Sequence, residues 1–524
     1  MDPLADLRAA IGEGARLERP PKPEFGDYST NAAMLRAPTE GRPPRDVAAT
    51  LAEELKERLG DDVERIDVAG PGFLNLFMSD AWFCRMLASA LEHGGDFGRG
   101  EGGERVLVEF VSANPTGPLT VASARGAAIG DSLARLLDFA GNEVEREYYI
   151  NDYGTQVRLF GESIRARARG EEPPEGGYQG EYVGALAAEI EGAADGDPDE
   201  LARRGVEHMM GRVEATLRRF RVEFDRFFSE RSMYDDGSVE RAFEQLSDHM
   251  YEHEGARWLR TTEFGDDKDS VLVRSTGEPT YFASDIAYHA DKLARGNDRL
   301  IDVLGADHHG YIGRLKAAVA ALGTDPDRLE IVIMQLVNIV EAGEQKQMSK
   351  RKGEFITLDD LVAEVGVDAT RWFMLSRSHD TAVDLDLDLA KRESSENPVY
   401  YVQYAHARIS SILAKAGEER VHAALTAVGR VPVVALEPAE RALVKKLLSF
   451  PEELLDAAEK RAPHRMTVYA LELAQTFTAF YRDCQVVGAE GEGVEDLRLS
   501  LCVASRRTIA AALGLLGVTA PESM

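Results

Sequence analysis

The sequence predicts an α/β protein: a doubly wound parallel sheet, preceded by a small α+β unit and followed by an all-α helical bundle. Three observations predict it. Short apolar strands, VLVEFV (106–111), LIDVLG (300–305) and IVIMQLV (331–337), alternate with helical stretches, the pattern of parallel strands joined by crossover helices. The first of these strands runs through a Gly/Pro turn straight into a helical pattern, SANPTGPLTVASARGAAIGD (112–131). From about Ser394 onward apolar residues recur at helical spacing alone. With 524 residues and 44% hydrophobic content, the chain is long enough for several domains and too apolar for disorder.

Taken in order, residues 1–100 form the α+β unit. LAEELKERLG (51–60) is an amphipathic helix that stops at Gly60, GPGFLNLFMS (70–79) is a turn and a strand, and AWFCRMLASALE (81–92) is a second helix. GGDFGRGEGG (94–103) reads as a linker. The second unit, 104–393, holds the parallel strands. Its Gly-, Glu- and Asp-rich segment between about 166 and 200 reads as exposed insertions or loops without a chemical role. The third unit, 394–524, carries YYVQYAHARISSILAKA, ERALVKKLLSFPEELLDAAEK and VYALELAQTFTAFYRDCQ, each with an apolar helical stripe. No internal repeat is visible.

Composition narrows the function. A formal net charge of −30 speaks against a nucleic-acid partner, but only weakly, because a large acidic protein can carry a local basic groove. Cys84, Cys484 and Cys502 are far apart and odd in number, fitting neither a disulfide framework nor a zinc site, so a reducing cytoplasm is expected. No apolar run is long enough for a membrane span, and MDPLADLRAA lacks the apolar region of a signal peptide.

Two segments point to chemistry. A strand that passes through a tight turn into a helix aims the helix's free N–H groups at the turn, where α/β proteins bind phosphate. In 112–131, Pro115, Gly117 and Pro118 shape that turn, and the small residues Ala122, Ser123, Ala124, Gly126 and Ala127 leave room for a ligand beside the backbone. The same residues also suit an ordinary helix N-terminus capped by Thr or Ser. The second segment, QKQMSKRKGEF (345–355), crowds Lys346, Lys350, Arg351 and Lys352 into an otherwise acidic chain. It reads either as a solvated basic loop or as one that closes over a polyphosphate and neutralises charge as pyrophosphate leaves. GADHHGY (305–311) sets two histidines beside an acid, but no second ligand cluster has usable spacing, so no zinc is expected.

In this order and at this separation the two segments resemble the signature motifs of class I aminoacyl-tRNA synthetases, His-x-Gly-His and Lys-Met-Ser-Lys-Ser. Met348, Ser349 and Lys350 are intact, with Gln347 in the place of the first lysine. The resemblance narrows to the arginyl-tRNA synthetase family through VEFVSANPTGPL, REYYINDYGTQV, FFSERSMY, YFASDIAYHADKL, GADHHGYIGRLKAA and NPVYYVQYAHARISSIL, with KPEFGDYSTNAAM and GPGFLNL near the N-terminus and GLLGVTAPESM at the C-terminus. It is near full length. It implies a Rossmann-like catalytic domain, an additional N-terminal tRNA-binding domain and a C-terminal anticodon-binding domain. It also implies ATP, entering with Mg2+ as substrate, L-arginine and tRNA-Arg as partners, no prosthetic group, and a cytoplasmic monomer.

By the same resemblance, a planar, permanently charged guanidinium is held by carboxylates and oriented by polar groups. Glu109, Glu230 and Asp285 are the matched carboxylates, and Ser112, Asn114, Tyr281 and His309 are the polar contacts to arginine. Asn114 follows Glu109 at the same strand exit, and Tyr281 lies one helical turn before Asp285 on the same face. ATP is assigned to Pro115, Gly117, Thr120, Ser123, Gly126, Gly305, Asp307, His308, Met348 and Lys350, with Thr120, Ser123 and Lys350 in the catalytic role. For tRNA, Phe73 can stack on an extruded base while Asn75 reads its edge, and Tyr404, His406, Arg408 and Tyr481 stand near the anticodon. Helical periodicity alone would put those tyrosines in the core, and Phe73 can equally be a core residue.

One departure stands out. The first signature motif here is Thr120-Val121-Ala122-Ser123, without either histidine, and Ala122 adds a methyl where adenine lies against glycine. Hydroxyls are shorter donors and carry no charge. Loss of one transition-state donor costs about 3–4 kcal/mol, hundreds-fold in rate, unless these hydroxyls, backbone N–H groups, Arg125 or Lys350 compensate. Two readings follow: an active arginine–tRNA ligase, or a catalytically weakened paralogue that binds tRNA or arginine without efficient activation. The persistence of pocket, basic loop and both tRNA-binding domains favours the first. A cysteine enzyme would need zinc ligands, and a glutamate pocket would need basic residues.

Overall fold

The computed structural model describes residues 3–20, 22–345, 356–428 and 435–524. At its centre is a five-stranded, wholly parallel sheet built from β1 (Arg105–Glu109), β2 (Glu143–Ile150), β3 (Arg226–Ser229), β4 (Arg299–Gly305) and β5 (Leu329–Met334), in the order β5-β4-β1-β2-β3. The chain winds outward in both directions from the β1/β4 pair, where Glu109 at the end of β1 lies in register with Asp302 in β4. A doubly wound sheet opens its ligand crevice at that switch point. Helix α1 (Val121–Phe139) crosses the sheet so closely that a Cβ on Gly130 would fall 2.1 Å from the Phe110 ring. Helices α2 (Tyr281–Ala294) and α3 (Ile312–Ala321) cover β4.

Three expectations need correction. IVIMQLV is not one strand: β5 ends at Met334, and Val337–Glu341 starts a second sheet, parallel to Val383–Asp386 and antiparallel to Glu344–Gln345. The break at Gln335-Leu336 is fixed by hydrogen bonds outside either sheet, from the Gln335 N–H to the His379 carbonyl at 2.8 Å and from the Arg125 guanidinium to both carbonyls. The 166–200 region is not merely exposed loop. It contains the helix Glu181–Glu189, which packs against Thr155–Ala168 and whose Val183 and Leu186 are fully buried. The glycine-rich stretch after His93 is not a free linker, because Gly100, Gly102 and Gly103 donate to the Phe139, Ala140 and Gly141 carbonyls at 2.9–3.0 Å. A side chain at Gly100 would meet the Ala140 carbonyl at 2.4 Å. A three-stranded antiparallel sheet (Met250–His253, Ala256–Leu259, Ser270–Val273) lies between β3 and α2; strands this short carry little periodicity to read.

The N-terminal unit is an antiparallel sheet backed by helices. Its helix Pro44–Leu59 stops where Gly60 takes φ +53, and its helix Asp80–His93 is capped by Ser79, which accepts from Trp82 N–H at 3.2 Å. The C-terminal unit is helical, from Pro398–Ala416 to Val494–Leu515. It is nailed to the catalytic unit by Arg371. That fully buried guanidinium reaches the Leu516 carbonyl (2.7 Å), the Phe220 carbonyl (3.0 Å) and the Asp131 carboxylate on α1. No helix among the described residues is long and apolar enough to cross a membrane.

Candidate active site

A cleft of about 1350 Å³ opens beyond the C-terminal ends of β1 and β4. Its back is made where β1 leaves the sheet. Val111 and Ser112 adopt φ of 68° and 40°, a left-handed turn that is unfavourable for a β-branched residue. The turn persists because Ser112 is tied on both sides: its hydroxyl donates to Glu109 Oε1 at 2.8 Å and accepts from the Tyr149 N–H at 3.1 Å.

The floor is ionic. Lys292, fully buried on α2, donates to Glu109 and to Asp302 Oδ1 (2.8 Å), and Asp302 Oδ2 meets His289 Nε2 at 2.9 Å. Burial alone would neutralise Lys292, but Asp302, Glu109 and Glu147 together keep its pKa above the ordinary lysine value. Burial would likewise raise Asp302, and Lys292 with His289 reverse this, holding it well below the carboxylate range. Glu109 is raised by burial in spite of Lys292. Both Glu109 oxygens are therefore already engaged, by Lys292 and Ser112. Sequence reasoning missed Lys292, His289 and Asp302. The signals were present: His289 and Lys292 continue the Tyr281/Asp285 face of α2, and an aspartate interrupts the apolar strand LIDVLG.

Above this floor α2 presents Asp285 and Tyr281 to the cleft. The Tyr311 hydroxyl donates to Asp285 Oδ2, and burial raises the Asp285 pKa, partly offset by that bond. Tyr281 is 60% exposed at the rim. Glu109, Ser112 and Asn114 line the same cleft. Glu230 is absent from the lining and buried behind it, near Tyr149 and Ser284, where burial pushes its pKa up to about 7. His309 lies in the turn Ala306–Tyr311, but its side chain is outside the described residues.

The other end of the cleft is formed by the Gly/Pro turn and the start of α1. Gly117, Thr120, Ala122, Ser123 and Gly126 line it, with Gly305, Asp307 and His308 across from them. Pro115 is buried and absent from the lining. Thr120 occupies the N-cap position, yet its hydroxyl makes no capping bond, and neither it nor Ser123 has a side-chain partner among the described residues. The simple capping role is thereby excluded. Arg125 does not face the phosphates. It is fully buried beneath α1, donating to the carbonyls of Gln335 (2.7 Å), Leu336 (3.2 Å), Ser378 (3.0 Å) and Thr381 (2.6 Å), and burial lowers its pKa to about 10. Met348 and Lys350 lie outside the described residues. The chain on the far side of that segment returns to this place: Thr120 bridges Thr357, Val121 N–H donates to the Ile356 carbonyl (3.3 Å) and Leu358 N–H to the Leu119 carbonyl (2.9 Å).

Of the residues assigned to tRNA, Phe73 is 38% exposed at a strand end, which removes the core reading. Asn75 is largely buried, with Oδ1 accepting from the Ser29 hydroxyl at 3.0 Å. Tyr404 and Tyr481 are exposed, and Arg408 lies over both rings at 4.9 and 5.4 Å. His406 points inward, its Nδ1 2.7 Å from the Pro521 carbonyl, and holds the C-terminal tail instead of facing solvent.

Family models match the chain in successive blocks: the arginyl tRNA synthetase N terminal domain over residues 4–78, the catalytic domain of class I (R) tRNA synthetases over 86–171 and 191–397, and the DALR anticodon binding domain over 402–524. The arginine–tRNA ligase of Desulforudis audaxviator is 48% identical over 532 residues, 97% of this chain and 93% of its own. That of Bacillus licheniformis is 45% identical over 547 residues, 99% of this chain and 97% of its own. The solved structure of Thermus thermophilus arginyl-tRNA synthetase superposes with a TM-score of 0.77 at 25% identity, covering 99% of each chain.

Proposed function

The chain belongs to the arginyl-tRNA synthetase family and is an arginine–tRNA ligase; from that premise we propose how its altered site works. Arginine enters with its guanidinium against Asp285, between Tyr281 and Tyr311. Glu109, locked by Lys292 and Ser112, adds fixed negative charge behind it, and Asn114 orients the amino-acid end. ATP, with its Mg2+, lies between the start of α1 and the Gly305–His308 segment. The arginine carboxylate attacks the α-phosphorus, the bond to the β-phosphate breaks and pyrophosphate leaves. A terminal hydroxyl of tRNA-Arg then attacks the adenylate's carbonyl, releasing AMP. No side-chain nucleophile is needed, so positioning and charge stabilisation supply the catalysis.

Thr120 and Ser123 donate to the phosphates in the place of the two histidines, and Lys350 neutralises the leaving pyrophosphate. The observation that carries this reading is that both hydroxyls lack a side-chain partner among the described residues, at a helix N-terminus lining the cleft that holds Asp285. The tRNA contacts fall to Phe73 in the N-terminal unit and to Tyr404, Arg408 and Tyr481 in the helical one. The three unpaired cysteines support a reducing, cytoplasmic setting, and the protein is read as working there as a monomer.

The test is arginine-dependent charging of tRNA-Arg by the purified protein beside Lys350→Ala and Asp285→Ala. Charging of arginine alone, lost in both variants, is expected. Tight tRNA binding with no arginyl-tRNA formed above the variants' background would show the motif to be a relic.

A further inference from the structure

Residues 172–190 fall between the two blocks matched by the catalytic-domain model. The segment nevertheless sends Tyr178 and Tyr182 into the cleft wall beside the Gly/Pro turn. The Tyr182 hydroxyl donates to the Thr116 carbonyl at 2.8 Å and covers Gly117 so closely that a Cβ there would lie 3.2 Å from it. The ring is fixed from behind. Any side chain at Gly180 would meet it at 2.4 Å, and the helix that carries it is anchored by buried Val183 and Leu186 and by the Glu189–Arg212 pair at 2.6 Å. Tyr178 is held separately, its N–H on Ser163 Oγ (3.0 Å) and its hydroxyl on Gln156 Oε1 (3.1 Å). Burial raises the Tyr182 pKa, so the hydroxyl stays a protonated donor.

A backbone carbonyl loose at the edge of a phosphate site repels the ligand, whereas one held by a hydroxyl has its negative end already occupied. Thr116 lies in the Gly/Pro turn four residues before Thr120, and the chain between them runs directly into the N-cap of α1. We propose that Tyr182 is a positioning residue for adenylate formation: its hydroxyl holds Thr116 so that the turn presents the Thr120 and Ser123 hydroxyls to the phosphates of ATP. This rests on the role given above to those two hydroxyls. Tyr182 itself does not touch the reacting atoms.

The experiment is ATP–pyrophosphate exchange with tRNA present, on the full chain, for Tyr182→Phe, for the pair Thr120→Ala/Ser123→Ala, and for all three together. Tyr182→Phe keeps the ring and removes one donor. Its kcat/KM for ATP is expected to fall about tenfold, with KM for arginine within about twofold and the melting temperature within about 2 °C of wild type. In the background lacking both hydroxyls the same change is expected to cost less than about twofold. Unchanged exchange by Tyr182→Phe overturns the proposal. So do equal losses for ATP and arginine with a lowered melting temperature, which would reveal a packing role alone. A full tenfold loss in the hydroxyl-free background would mean that Tyr182 acts elsewhere. Should Thr120→Ala/Ser123→Ala by itself leave exchange intact, the premise fails and the proposal with it.

Discussion

The two ends of the cleft are built on opposite plans. At the arginine end charge is buried and locked: Lys292, Glu109, Asp302 and His289 form a continuous network under the wall that carries Asp285. At the phosphate end, across from Asp307 and His308, Thr120 and Ser123 offer neutral hydroxyls without a side-chain partner among the described residues, after a turn held by Tyr182. The difference follows from the ligands. A guanidinium is a permanent cation that must be recognised against solvent, which takes carboxylates fixed in a low-dielectric site. A triphosphate arrives with its own magnesium and meets a helix N-terminus, so individual side chains there can be exchanged as long as donors remain. On this argument an exchanged side chain should cost less at the phosphate end than at the arginine end.

The largest expected effect breaks the locked end. Lys292→Met leaves buried Glu109 without its cationic partner and Asp302 with His289 alone, a loss of about 3–5 kcal/mol that thermal or denaturant unfolding will register. Asp285→Asn keeps the shape and removes the charge facing the ligand. Arginine kcat/KM should fall at least a hundredfold, about 3 kcal/mol, while KM for ATP hardly moves. Buried Glu230 gives a pH-dependent companion. Its pKa is raised by burial from 4.5 to about 7, so between those values the folded state binds more protons than the unfolded one. Stability therefore falls as pH rises through that window, by about 3 kcal/mol in all, and stays lost above it. Glu230→Gln should flatten this slope, so the variant gains on wild type from pH 5 to 8 in melting temperature; a parallel pair of curves would rule the assignment out.

At the phosphate end the expected change is smaller. Thr120→Ala or Ser123→Ala removes one neutral donor, about 1–1.5 kcal/mol or tenfold in exchange rate, well short of the cost of losing an essential group. A loss as large as that of Asp285→Asn would erase the contrast between the two ends.

The two plans were also unequally legible in the sequence. The strand–turn–helix of 106–131 could be read because apolar strand, Pro/Gly turn and small-residue helix are local signals. The placement of Asp285 and Tyr281 on one face followed from their spacing. Which carboxylate is free could not be read, because whether Glu109 faces ligand or Lys292 depends on packing across 183 residues of chain. The contribution of Tyr182 was hidden for the same reason: its segment has the composition of a loop, and only its register against Thr116 gives it a place in the cleft. Arg125 illustrates the limit from the other side. A basic residue in the first turns of a phosphate-facing helix is reasonably read as a phosphate ligand, yet here it lies beneath the helix, holding four carbonyls that fix the connections around Gln335 and Ser378.

The smallest expected effect lies far from the cleft and tests whether exposure separates ligand-facing from structural residues in the helical unit. Arg408 lies over the rings of Tyr404 and Tyr481 and donates to the Tyr404 hydroxyl at 2.9 Å, forming an exposed cation–aromatic surface, while His406, two residues earlier in the helix, is buried against Pro521. An exposed stack of this kind contributes about 0.5–1 kcal/mol to fold or binding, and stacking on a base somewhat more. Arg408→Ala should therefore raise KM for tRNA about threefold to fivefold, reduce the salt dependence of tRNA binding, and leave stability and arginine activation unchanged. His406→Ala should do the reverse, lowering the melting temperature through loss of the tail contact with little change in the salt dependence. If the two variants exchange these behaviours, the exposed face is not where tRNA sits, and the inward histidine marks a different route from the helical unit to its ligand.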